Sequence, residues 1–438
     1  MRGNPSRARK QTRPTKIAES KSLKVLSLFT GAGGLDLGLE AAGFEISGCV
    51  ELDTDARQTL KDNRPNWRLA DPGNIHDHEP ARLLKSLGLK QGEVGLVSGG
   101  PPCQPFSKSS FWVAGEAPGM RDPRAKTLRA YLDVVEAALP AAMVLENVKG
   151  ITYSRSAKAG EQEEAALDLL RRELGAINER HGTKYEPLVL HLDAADFGVP
   201  QHRDRVFVFA AREGTGLAEP PATHSDVDDV DGELLRFATA WDGIGELDDP
   251  KKKDPDLALT GYWADLVKSI PEGHNYLWHT AKGGGEPLFG WRRKYWSFLL
   301  KLAKDRPSWT LQAQPGPATG PFHWRNRKLS MEEMARLQTF PPGYKIYGSY
   351  ISARRQVGNA VPAAVGEVLG LAMRRTVFGD DIERPLTLIP DLRDDCPHRH
   401  PTVKVPKKYL DLRHSDFDHP GVGKGPGALK RERLAQAA

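Results

Sequence analysis

Apolar positions along this chain repeat with two different periods, and the period switches where glycine interrupts it. Lys24-Val25-Leu26-Ser27-Leu28-Phe29 alternates and ends apolar, as a buried first strand does; Thr30-Gly31-Ala32-Gly33-Gly34 then turns the chain into a helical run at Leu35, Leu37, Leu39 and Ala42. The same analysis predicts a second strand over Phe44–Val50, a short third closed by Asn74-Ile75, a fourth over Val94–Val97 and a fifth over Ala142–Leu145. Helices are expected over Lys126–Ala138 and Glu161–Arg180, and further strands over Tyr185–Asp193 and Arg205–Ala210. Strands alternating with helical stretches predict an α/β fold around a largely parallel sheet.

The pattern breaks near Arg212. Residues Glu213–Lys253 are interrupted by Gly, Pro and acidic clusters, and Tyr262–Trp324 holds six tryptophans interleaved with Arg292, Arg293, Lys294, Arg306 and Arg325. Such a loop-rich segment suits either a surface that reads nucleic acid or a small core that buries its indoles. Order returns at Leu329–Gln338, where Ser330 and Glu333 have the spacing of a capping box, and Gln356–Pro362 precedes a helix over Ala363–Arg375. The expected organisation is a basic arm over 1–21, a first catalytic part over 22–212, a recognition domain over 213–326, a hinge helix and return over 327–380, and a weakly ordered tail over 381–438.

Composition narrows the function classes. With 438 residues the chain can bury a full core, and its net charge of +5 and pI near 8.9 are mildly in favour of a polyanionic partner. No membrane-spanning run is present at a mean hydropathy of −0.50, and the basic Met1–Lys24 segment lacks the apolar stretch of a secretory signal. Three cysteines in such a length make no disulfide framework and fit a reducing compartment. Cys396, His398 and His400 make an incomplete zinc set, so no metal is expected.

The candidate chemistry centres on Val97–Ser107, Val-Ser-Gly-Gly-Pro-Pro-Cys-Gln-Pro-Phe-Ser. Two glycines and two prolines stop the strand and hold Cys103 at its carboxyl end, the edge where open α/β sheets do their chemistry. A lone cysteine is often just a small hydrophobe, but a core position needs no such turn. The glycine turn after the first strand would let backbone N–H groups approach a ligand, and Glu51 at the tip of the second strand is placed to grip a ribose diol. Glu146 stands at a third strand tip. The polar stretch Lys108–Arg124 is expected to form a lid.

Taken together, these stretches resemble the DNA (cytosine-5)-methyltransferase family. Phe29–Gly34 is similar to its first motif, Pro101-Pro102-Cys103-Gln104 to its nucleophile motif and Glu146-Asn147-Val148 to its catalytic glutamate motif. Gln201–Arg205 is similar to its Gln-x-Arg-x-Arg motif, and Arg327–Gln338 and Gln356–Pro362 to its last two. The matches run in family order over most of residues 24–375. Ser27 and Asn74 depart from the family, which usually carries Asp at both places.

The resemblance implies a Rossmann-like S-adenosylmethionine-dependent domain with a smaller, loop-rich target-recognition domain. It implies that Cys103 attacks C6 of a cytosine flipped out of duplex DNA, that Glu146 assists at N3, that Arg205 holds O2, and that Arg203 positions the backbone or active-site loop. S-Adenosylmethionine would meet Phe29, Thr30, Gly31 and Gly33 at its methionine part, Glu51 at its ribose, Leu52, Asn74 and Ile75 at its adenine, and Pro101, Asn359 and Val361 around it. Contacts to double-stranded DNA are expected from Gln104, Ser107, Arg121, Gln201, Arg292, Arg293 and Arg325. A monomeric, cytoplasmic and nucleoid-associated bacterial enzyme is implied, with a cognate restriction endonuclease or defence proteins as partners. A catalytically silent DNA-binding homologue and an RNA cytosine-5 methyltransferase are the alternatives. A nicotinamide-dependent dehydrogenase would leave Cys103 and Gln201–Arg205 without a use.

Overall fold

The strands β1 (Lys24–Leu28), β2 (Glu45–Val50), β3 (Leu96–Gly99) and β4 (Ala142–Asn147) carry apolar residues on both faces, which only a sheet covered on both sides can bury. In the computed structural model they pair in parallel and are joined by β5 (Leu188–Asp193) and β6 (Asp204–Ala211) in the order β2-β1-β3-β4-β6-β5, with β6 antiparallel to both its neighbours. The structure describes residues 22–101, 126–147, 166–214, 216–226, 234–251, 254–291, 294–316 and 318–414.

Period-two alternation splits each strand between two cores. Val25, Leu96, Val144 and Phe207 face helices α1 (Gly34–Ala41) and α9 (Ala363–Met373). Leu26, Val97, Met143 and Val206 face α3 (Pro80–Ser86), α4 (Lys126–Ala138) and α5 (Ala166–His181). Helix α2 (Thr54–Asn63) follows β2 and is capped by Asp53, whose Oδ1 accepts from the N–H groups of Asp55 and Ala56, both at 3.0 Å. Near the other end of the chain, α9 returns to the start of the fold. It packs on α1 backbone to backbone: a Cβ on Gly38 would lie 2.1 Å from the Ala363 carbonyl oxygen, so only glycine permits the contact.

The second lobe is built differently. Its aromatic core is built of Tyr276, Phe289, Phe298 and Tyr409, and among the described residues its elements are a five-residue helix, α6 (Ala240–Ile244), short 3₁₀ turns and a two-stranded pairing of β7 (His224–Ser225) with β8 (Leu235–Arg236). Helices α7 (Met331–Leu337) and α8 (Tyr350–Asn359) connect it to the sheet domain through a core of Trp241, Trp324, Leu337 and Val357. The capping box of Ser330 and Glu333 is present.

Two expectations are corrected. Asn74-Ile75 closes no strand; Asn74 caps a 3₁₀ turn over Ile75–Asp77, because its carboxamide accepts from the His76 N–H and competes with extended pairing. Residues 381–414 are not a loose tail. Arg384 pairs with the buried Glu367 at 2.6 Å, Asp395 accepts from the Trp241 indole at 3.0 Å, and Tyr409 is fully buried in the second lobe. The second lobe therefore takes its core from both sides of the hinge. The predicted helix over Glu161–Arg180 is described from Ala166, and its first five residues lie outside the described residues.

Candidate active site

Parallel strands end together, so the tips of β1, β2, β3 and β4 open onto one cleft. A cavity of about 510 Å³ lies there, walled by Phe29–Gly31 after β1, Glu51–Asp53 after β2, Gly99–Pro101 at the end of β3 and Glu146 on β4. Arg205 reaches it from β6, and Gly358–Val361 close it from the end of α8. Phe29 holds a left-handed φ of 56°, a costly conformation for an aromatic residue, and Gly33 one of 82° at the N-cap of α1. The returning segment braces this turn through Tyr344, whose hydroxyl donates to the Ala32 carbonyl at 2.8 Å.

The cavity is acidic on the β1–β2 side. Glu51 accepts from the Gly31 N–H at 2.6 Å and the Asp53 N–H at 2.7 Å, while burial pushes its carboxyl above the usual range. Asp36, in the first turn of α1, accepts from Ser98 Oγ at 3.3 Å, and burial pushes it up to about 6 despite the hydroxyls of Ser27 and Ser98. Asp53 pairs with Arg355 of α8 at 2.5 Å. Opposite these acids, Leu52 projects an apolar side chain that is 67% exposed. At the β4 side Arg205 Nε meets Glu146 Oε1 at 2.9 Å, with both side chains largely buried. Asn147 ties this tip to the end of β3 by donating to the Pro101 carbonyl at 3.4 Å.

This order of strand tips, with a paired Glu and Arg facing an acidic nucleoside-sized cleft, is accompanied by a match of residues 23–375 to the model of the C-5 cytosine-specific DNA methylase family. The chain belongs to that family. The methylase is 38% identical over 377 residues to the type II methyltransferase M.SacI of Streptomyces achromogenes, a match covering 80% of this chain and 92% of the relative. It is 34% identical over 261 residues to the type II methyltransferase M.AquIA of Picosynechococcus sp., covering 58% of this chain and 99% of the relative. Among solved structures it resembles the DNMT2 of Spodoptera frugiperda at a TM-score of 0.53 and 16% identity, over 80% of this chain and 99% of that one. It also resembles the Dnmt2 methyltransferase of S. pombe at 0.52 and 17%, over 81% and 99%. These likenesses agree with the Rossmann-like methyltransferase fold, and the chain is a DNA cytosine-5 methyltransferase. Among the described residues no helix is long and apolar enough to cross a membrane.

Twelve residues singled out from the sequence line the methylase's cavity: Phe29, Thr30, Gly31, Glu51, Leu52, Asn74, Ile75, Pro101, Glu146, Arg205, Asn359 and Val361. Asn74 does so with its carboxamide engaged locally, donating to Asp77 at 3.1 Å. Four others lie elsewhere. Gly33 stands behind the turn, where a Cβ would be 3.0 Å from Leu60, so its task is backbone geometry and not a ligand contact. Arg203 is 1% exposed and donates to the carbonyls of Gly358 at 2.8 Å and Leu311 at 3.4 Å, which makes it a bolt between β6, α8 and the second lobe. Gln201 is fully buried, donating to the Leu337 carbonyl and accepting from the Leu311 N–H; it cannot touch DNA. Arg325 is paired with Asp248 through Nε and, at 2.9 Å, through Nη2, so its charge is already matched. Cys103, Gln104, Ser107, Arg121, Arg292 and Arg293, like the expected lid at 108–124, lie outside the described residues. Asp36 and Arg355 were missed; a carboxylate in a helix's first turn reads as an ordinary cap until the strand tips converge around it.

Proposed function

We propose that this methylase extrudes a cytosine from duplex DNA, adds the Cys103 thiolate to C6, and methylates C5 with S-adenosylmethionine as donor. The Glu146–Arg205 pair, at the cavity wall next to the residues leading to Cys103, carries this reading. Cytosine C5 is a poor nucleophile. Forming the Sγ–C6 bond while Glu146 supplies a proton or hydrogen bond at N3 turns C5 into an enamine carbon, and Arg205 neutralises the O2 side. The electron pair of the enamine forms the C5–methyl bond as the donor's sulfur–methyl bond breaks, and the bonding pair stays on a neutral thioether that leaves as S-adenosylhomocysteine. Loss of the C5 proton to a base then drives cleavage of the Sγ–C6 bond and restores the thiolate.

The donor fits the cleft by charge. S-Adenosylmethionine supplies an electrophilic methyl on a cationic sulfonium, and Asp36 and Glu51 favour a ligand bearing cations and hydroxyls. A dinucleotide would set its pyrophosphate at the first turn of α1, against Asp36, which disfavours a nicotinamide cofactor. In this reading Glu51 takes the ribose hydroxyls, Leu52 and Ile75 the adenine, and Phe29–Gly31 the methionine part, with Asn359 and Val361 on the far side. Extrusion costs a few kcal/mol of pairing and stacking, offset by contacts to the recognition lobe. The type II relatives support a restriction–modification role beside a cognate endonuclease, for a monomer acting on nucleoid DNA in a bacterial cytoplasm.

Bisulfite sequencing of DNA from cells expressing the enzyme gives the methylated site. Duplexes carrying 5-fluorocytosine there should remain attached to the wild-type protein through denaturation when donor is present, and detach from Cys103→Ser. Absence of the wild-type adduct on methylated sites would refute the covalent mechanism.

A further inference from the structure

Most aromatic residues of the recognition lobe are in its core, but a few are not. Tyr295, Trp296 and Trp309 are 50%, 53% and 41% exposed. The rings of Trp296 and Trp309 meet edge to face with centroids 5.6 Å apart, and Lys294 is exposed beside them. A single exposed indole is ordinary. Two in contact form an exposed apolar ledge of rings set at 77° to each other, with Tyr295 and Lys294 next to them in the chain.

The ledge is tied to both walls of the catalytic cavity. On one side Trp309 lies 5.6 Å from the His202 ring; the His202 N–H donates to Ser308 and Thr310 Oγ1 donates to the His202 carbonyl. Three residues later, in β6, the chain presents Arg205 to the cavity. On the other side Ser297 accepts from Gln312 at 2.9 Å, the Gln312 carbonyl accepts from Arg354 of α8, and Ala313 packs so closely on Gly358 that a Cβ there would lie 2.5 Å from its Cα. Gly358 lines the cavity. The segment that carries Trp309, residues 308–313, thus fastens the second lobe to the Arg205 side and to the α8 wall, and the Trp296 loop is joined to it through Ser297.

We infer that the Trp296–Trp309 ledge stacks on the bases flanking the extruded cytosine and holds the opened duplex over the cavity. This deepens the proposed extrusion and rests on it. Every base has a π face, so indole contact adds affinity whatever the neighbouring sequence, and apolar side chains lodged against an unstacked step are a known way to keep DNA distorted. The lysine edge suits a phosphate backbone and not a second apolar protein surface.

The test uses full-length enzyme and a duplex with the site found by bisulfite sequencing, carrying 2-aminopurine next to the target cytosine. Wild type should change the 2-aminopurine emission on binding. Trp296→Leu and Trp309→Leu should lose that change and weaken DNA binding roughly tenfold or more, as loss of one stacked base does, while donor affinity by calorimetry stays within twofold. Trp296→Phe and Trp309→Phe keep a ring and should restore most of both signals, which also separates stacking from a failure to fold. Leucine variants that bind DNA within twofold of wild type, or that alter only self-association, overturn the inference. A wild type that shows the emission change but no 5-fluorocytosine adduct refutes the covalent chemistry and leaves the ledge standing.

Discussion

The two lobes of this methylase solve the same problem, burying charge and apolar surface together, in opposite ways. In the sheet domain regular elements do the burying, and four ionisable groups, Glu51, Asp36, Glu146 and Arg205, face one cavity at the strand tips. In the second lobe little regular structure is available among the described residues, and ion pairs sit inside. Lys304 and Glu272, each 1% exposed, pair at 2.6 Å; His400 from the C-terminal segment adds a 2.7 Å contact to the same carboxylate. Charge gathers at the cavity in the first lobe, where the buried Glu367–Arg384 pair also fastens the C-terminal segment, and holds loops together in the second. A charged residue is therefore informative about function only once its partner is known.

Substitutions in the two lobes should divide along that line. The largest effect is expected from Cys103→Ala, which should cut methyl transfer by roughly four orders of magnitude or more with donor binding retained, checked by tritium transfer and calorimetry. An equal loss of donor binding would place the defect in the fold. Next, Lys304→Met leaves the buried Glu272 with only its His400 contacts in the core of the second lobe and should cost about 3 kcal/mol by denaturant unfolding. Pairing it with Glu272→Leu should recover much of that loss, whereas in the catalytic lobe removing both Glu146 and Arg205 should recover no activity.

Asp36 gives a pH signature in the first lobe. Its folded pKa of about 6 lies above its ordinary value, so its stabilising effect is complete below that ordinary value and lost as pH rises through 6. At pH 7–8 the ionised carboxylate is therefore a burden, and Asp36→Asn should raise stability by up to about 3 kcal/mol, a gain that shrinks toward zero near pH 4. A pH-independent difference in melting temperature between the two proteins would contradict this. The same change should weaken donor binding at neutral pH if the charge serves the sulfonium. Smallest of all, Ser330→Ala removes one cap of α7 and should cost about 1 kcal/mol in thermal unfolding, with little effect on either lobe's chemistry.

Sequence alone determined the parallel strands of the sheet domain, though not the turn at Ile75–Asp77. Strands buried on both faces read as apolar runs, and the residues that follow them, Phe29–Gly31, Glu51, Gly99–Pro101 and Glu146, had to share one edge because parallel strands end together. Local signals of that kind need only neighbours in the chain. Partners far along the chain were decided by tertiary structure. Gln201, Arg203 and Arg325 are polar and suggested ligand contacts, yet they are matched by Leu311, Gly358, Leu337 and Asp248, up to 155 residues away. The C-terminal segment looked loose because its anchors, Glu367, Trp241 and the aromatic core around Tyr409, belong to other elements. The tryptophans divided for the same reason: Trp324 is 1% exposed and Trp296 53%, and no periodicity distinguishes them. Burial is a property of what packs against a residue, and in a loop-built lobe only the folded chain supplies that partner.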